Sequence, residues 1–146
     1  MDGYSTTASM LGKMSQKALI QLTDDDGLGT VNMDVFNREN SGVRSYIDGF
    51  LRGRYPLPLT TVDDIILQLS DNILRCRLIK RRNPNTANEQ LDKDLRYYDS
   101  QLLLVQQGKT RLDVDLPAAD QPGAGSFKTN KTAEDRVFTK DKLDTY

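Results

Sequence analysis

Three groups of side chains in this chain have the types and spacing to do chemistry. The first is Thr23-Asp24-Asp25-Asp26-Gly27-Leu28-Gly29-Thr30, where close-set carboxylates and glycines have the make-up of a calcium loop. With Gly29 at the glycine position, Asp24 and Asp26 take the first and third ligand positions. Leu28 then stands at the fifth, and Val35 stands at the twelfth, where a bidentate glutamate is needed. A charge and the closing clamp are both missing, so the stretch reads as an Asp- and Gly-rich turn that caps the helices beside it. The second group is basic: Arg75, Arg77, Lys80, Arg81 and Arg82. Cations at a helix C-terminus complement the dipole, and this is the first reading; contact of Arg77, Arg81 and Arg82 with phosphate or an acidic partner is the alternative. No glycine-rich loop or interleaved aromatics accompany them, so a nucleotide site is not implied. The third is the pair Tyr97-Tyr98, which reads as core or interface rather than as a ligand cage.

What is missing narrows the chemistry further. The chain of 146 residues has no histidine and one cysteine, Cys76. Ser-His and Cys-His catalysis, histidine-rich metal sites and an intrachain disulfide are therefore excluded. No two acids are spaced as an acid/base couple, so no catalytic residue, metal site or cofactor is expected and the chain is not read as an enzyme. Its net charge is −1 and its pI about 5.4, whereas a freely binding nucleic-acid protein would be basic. No apolar run reaches the roughly 20 residues of a membrane span, and the N-terminus lacks the pattern of a signal peptide. A reducing cytoplasm is the simplest place of synthesis.

Any such groups must be positioned by helices, and the chain is organised around a corner between two of them. Val43, Ile47, Phe50 and Leu51 recur at spacings of three and four, and so share one helical face. Gly53 follows where a helix stop is expected, and Pro56 and Pro58 keep Tyr55 and Leu57 extended. The result is a stiff proline elbow. Before it, residues 5–22 predict two short helices, broken near Gly12 and Ser15. A long helix then runs over 33–52, with Val35, Phe36, Val43, Tyr46, Ile47 and Phe50 as its apolar stripe and a possible bend at Ser41-Gly42. After the elbow, Thr60 or Thr61 caps a helix carrying Val62, Ile65, Ile66, Leu69, Ile73 and Leu74, which Asn83-Pro84 ends. A third long helix spans 86–107, with Leu91, Leu95, Tyr98, Leu102 and Val105 on one stripe, widened by Leu103 and Leu104.

Beyond Gly108 the pattern changes. Arg111-Leu112-Asp113-Val114-Asp115-Leu116 alternates polar and apolar residues and predicts a short strand. No other strand is expected, so Leu112, Val114 and Leu116 would pair with another chain or form a subunit interface. Residues 117–126 are rich in Pro, Ala and Gly and read as a linker. Residues 127–146 are too polar to fold alone, with only Phe127, Val137, Phe138, Leu143 and Tyr146 as apolar anchors. The expected organisation is thus a helical domain over 1–116, a linker over 117–126 and a partner-docking tail over 127–146. The fold class is mainly α: a small antiparallel helical bundle with a proline elbow, one short strand and an extended tail.

Four stretches together carry a resemblance: Ala18-Leu19-Ile20-Gln21-Leu22-Thr23-Asp24, the Asp/Gly loop, Tyr46-Ile47-Asp48-Gly49 through Gly53-Arg54-Tyr55-Pro56-Leu57-Pro58-Leu59, and Arg136-Val137-Phe138-Thr139-Lys140-Asp141. In this order they resemble a family of small head-region proteins of Mu-like phages and prophages, itself similar in helical layout to the head–tail connector adaptors of long-tailed phages. The resemblance implies a structural virion subunit, made in the host cytoplasm and built into the neck between head and tail. It would form a homo-oligomeric, twelve-fold ring beneath the portal protein, continue the DNA channel without binding DNA specifically, and meet the next neck or tail-terminator protein. Docking on the portal would fall to Phe127, Arg136, Val137, Phe138, Leu143 and Tyr146. The alternative is a DNA-binding or packaging accessory protein that uses the basic helix end at 75–82. No membrane partner is implied.

Overall fold

The computed structural model describes residues 3–84 and 88–114. Over them the chain forms five helices: α1 (Thr7–Leu11), α2 (Gln16–Thr23), α3 (Met33–Leu51), α4 (Asp64–Arg82) and α5 (Glu89–Gln106). Each begins on a side chain that can accept a free backbone N–H. Thr6 and Ser9 make a reciprocal capping box at α1, Ser15 caps α2, Asn32 caps α3 and Asn88 caps α5. The cap of α4 is Asp63, not Thr60 or Thr61 as predicted. One Asp63 oxygen accepts from the Ile65 N–H at 2.7 Å and the other from the Asp113 N–H. That second bond, to a residue 50 positions on, is a tertiary contact with no local sequence signature.

The three long helices make an up–down–up bundle. At one end, Tyr55 follows α3, Asp63 precedes α4, and both bond to Leu112 and Asp113 after α5. Lys80 near the end of α4 pairs with Asp92 near the start of α5. Phe36, Val43, Ile47 and Leu51 of α3 meet Ile66, Leu69, Ile73, Leu74 and Leu78 of α4, with Leu102 and Val105 from α5. Burying side chains of this size contributes about 1.5–3 kcal/mol each. Two members of the predicted α4 stripe stay out: Val62 precedes the helix, which starts later than predicted, and Ile65 is exposed in its first turn. Leu103, at the margin of the α5 stripe, is also exposed. Ser41 and Gly42 do not interrupt α3.

The elbow is present and packed. Gly53, at φ 90, supplies the left-handed residue after α3. Tyr55 is buried, and Leu57 and Leu59 pack against the core.

The predicted strand is corrected. Among the described residues no strand forms, and Arg111 to Val114 runs as irregular chain along the bundle. Alternation of apolar residues suits any chain that lies over a core, and Leu112 uses it that way: it is buried, and its N–H donates to the Tyr55 hydroxyl at 3.1 Å. Val114 packs partly against the same core. Leu116 lies outside the described residues.

The N-terminal segment is held by polar bonds that the sequence reading missed. Asn40 of α3 is buried; its Nδ2 donates to the Ser5 carbonyl at 2.7 Å, and its Oδ1 accepts the Ser5 N–H at 3.3 Å. The Ser5 hydroxyl meets that of Ser70 at 2.8 Å, and Ser9 donates to Asp71 at 2.8 Å. Gly3 lies so close to Asn40 that a Cβ there would collide with its side chain.

Candidate functional site

The basic end of α4 is largely committed to the fold. The guanidinium of Arg81 donates to both oxygens of Asp25, at 2.9 and 2.8 Å, and to the Leu22 carbonyl at 3.1 Å. Arg82 joins the same carboxylate at 3.1 Å. A planar fork on a carboxylate is the strongest ion pair available to arginine. Arg81 hydrogen bonding holds the Asp25 carboxyl below its usual range, and Asp25 in turn raises Arg81. Arg77 lies over the Tyr46 ring, 5.2 Å from its centre, and Lys80 pairs with Asp92 at 2.5 Å. The structure thus brings Arg81 and Arg82 together on one acid and turns Arg77 to an aromatic face.

The Asp/Gly loop is likewise folded around its own carboxylates. Asp24 accepts N–H groups from Gly29 at 2.7 Å and Leu28 at 3.0 Å. These bonds, with that from Gly29 foremost, depress its carboxyl. Gly27 and Gly29 both have positive φ, at 73 and 72, which closes the turn. Asp25 is taken by the arginines. Among the described residues, no group of three or more acids, cysteines or histidines is placed to hold a metal. The loop fixes its backbone while leaving Leu28 outside, 74% exposed.

Among the described residues, an arrangement with the form of a binding site lies at the elbow, and motif reading did not single it out. Arg44, Asp48, Arg52, Tyr55, Leu57 and Pro58 line an open cleft of about 460 Å³. Arg44 and Asp48, one helical turn apart, approach to 3.6 Å. The Tyr4 hydroxyl donates to Asp48, and Arg44 stands 5.7 Å from the Tyr4 ring centre. Burial first, then the Asp48 carboxylate, raises the Tyr4 phenol. Arg44 is engaged by Asp48 and Tyr4, whereas Arg52 is exposed beside Leu57 and Pro58 and suits a group that is part acidic and part apolar. The spacing of Arg44 and Asp48 on α3 was the available signal; the contribution of Tyr4, 44 residues away, was not readable.

Tyr97 is 60% exposed, while Tyr98 packs partly against the core, with the two rings edge to face. The tail residues Phe127, Arg136, Val137, Phe138, Leu143 and Tyr146 lie outside the described residues.

Against this fold, comparison with known families is decisive over most of the chain. Residues 4–131 match the family described as Bacteriophage Mu, Gp36. The chain belongs to that family. Membership in the Bacteriophage Mu Gp36 family agrees with the head-region resemblance drawn from the four stretches quoted above, and supports a structural role in the phage. The match takes in all five helices of the bundle and extends past them. No curated protein matches the chain. None of the described helices is long and apolar enough to cross a membrane.

Proposed function

We propose that this Gp36-family chain is a head–tail connector or adaptor subunit, which assembles as a ring beneath the portal and continues the DNA channel in the virion neck. The observation that carries the reading is the family match over 4–131, which embraces the elbow bundle as a whole. The chemistry of the bundle is compatible with the role. DNA must slide through such a ring, and a surface that gripped phosphate would resist it. Here Arg81 and Arg82 are bound to Asp25 and Arg77 lies on Tyr46, which weighs against the packaging-accessory reading. The polar tail, with Phe127, Arg136, Val137, Phe138, Leu143 and Tyr146, supplies reach toward the portal: a tail that threads onto a partner adds interface without a large core.

Deletion of residues 127–146 tests the docking role. The truncated chain keeps its helical circular dichroism but no longer co-purifies with the portal; unchanged portal binding rejects the role. Mass measurement of the full chain tests the ring: a monomer alone, and a multimer on the portal, is the expected pair of results.

A further inference from the structure

Two surfaces at opposite ends of α4 pair exposed apolar side chains with charges of opposite sign. The loop before α3 holds Leu28 outward on a backbone pinned by Asp24, with Met33 also exposed at the start of α3. Asp24 and Asp25 are engaged internally, whereas Asp26 and Asp34 are exposed with no ion-pair partner among the described residues. This is an apolar knob between free carboxylates. The elbow offers the converse: a cleft with Tyr55, Leu57 and Pro58 on its walls and the exposed Arg52 at its edge, also unpaired among the described residues.

Within one chain these surfaces cannot meet. Asp25 ties the loop to Arg81 and Arg82 at the C-terminal end of α4, and the cleft precedes its N-terminus. The 19 residues of α4 separate them by roughly 28 Å. We infer that the Leu28 loop of one copy seats in the elbow cleft of the next, with Asp26 facing Arg52. A contact between unlike surfaces of identical chains is heterologous, and it closes into a ring when its rotation divides a full turn. The inference rests on the ring reading above and assigns that ring its contact.

The test uses full-length chain in assembled phage particles, carrying Leu28→Cys and Leu57→Cys together. Native Cys76 is fully buried and stays silent. Mild oxidation should give a ladder of disulfide-linked multimers from the double variant, and none from either single variant. A charge swap gives a second readout that leaves the apolar residues of the cleft in place: Asp26→Arg should lower incorporation about tenfold, and adding Arg52→Asp should restore it. Absence of both the ladder and the rescue, with the chain present in particles at its normal copy number, overturns the contact and leaves the ring standing. Absence of the wild-type chain from purified particles overturns both.

Discussion

Tyr46 ties three helices through one side chain. Its hydroxyl donates to Asp99 of α5 at 2.6 Å, its face carries Arg77 of α4, and its edge meets Phe50 one turn on in α3. Tyr46→Phe removes the bond to a carboxylate and keeps the ring, so a loss of about 1–2 kcal/mol is expected, read from the shift in urea midpoint. Burial, and then Asp99, push the Tyr46 phenol up to about 12 from an ordinary 10. The folded state thus holds this proton more tightly than the unfolded chain. The contribution is complete below about pH 10 and is lost as pH rises through about 12. The stability gap between wild type and Tyr46→Phe should therefore close across that window. Asp25 runs the other way: its depressed carboxyl stabilises the loop at neutral pH, and that help fades as acid protonates it below 3.8. Replacing Asp25 with Asn should flatten the acid limb of the stability curve.

At the level of elements, the N-terminal segment and the elbow answer to different forces. Tyr4 and Met10 bury apolar surface, but the backbone at Ser5 is paired by Asn40 alone among the bonds described above. Asn40→Ala leaves a buried N–H and a buried carbonyl unpaired, which costs about 2–4 kcal/mol. Hydrogen exchange should then show residues 4–9 opening while the α3–α4 core stays protected; uniform loss of protection would mean that the segment unfolds only with the whole bundle. At the elbow, Gly53 sits where a side chain is strained, so Gly53→Ala should cost about 1 kcal/mol by thermal melting. Asp63 serves both the α4 cap and the chain after α5. Its replacement by Ala should cost about 1–2 kcal/mol and loosen residues 112–114.

At the scale of the molecule, several carboxylates of the bundle are engaged from within it. Asp25, Asp48, Asp92 and Asp99 each engage an arginine, lysine or tyrosine from another element or turn. That arrangement is compatible with the proposed connector role, in which passing DNA must not be held. Asp26 and Arg52, both without an ion pair among the described residues, stand at opposite ends, where a head-to-tail contact between copies would use them.

The sequence by itself determined the helices, their breaks and the elbow. Apolar spacing in Val43, Ile47 and Leu51 and in Ile66, Leu69 and Ile73 is local, and so are the stops at Gly53 and Asn83. The four stretches that carry the resemblance pointed to the right family. Only tertiary structure decided how the charged residues are used. Whether Arg81 meets a phosphate or Asp25 depends on a contact across 56 residues, and whether Leu112 is a strand or a covering segment depends on Tyr55, 57 residues earlier. Periodicity records which face a residue occupies; it carries nothing about which distant side chain waits on the other side. For Asn40, Tyr4 and Asp63 the partner lies far along the chain, so their roles became visible only once the helices had been packed together.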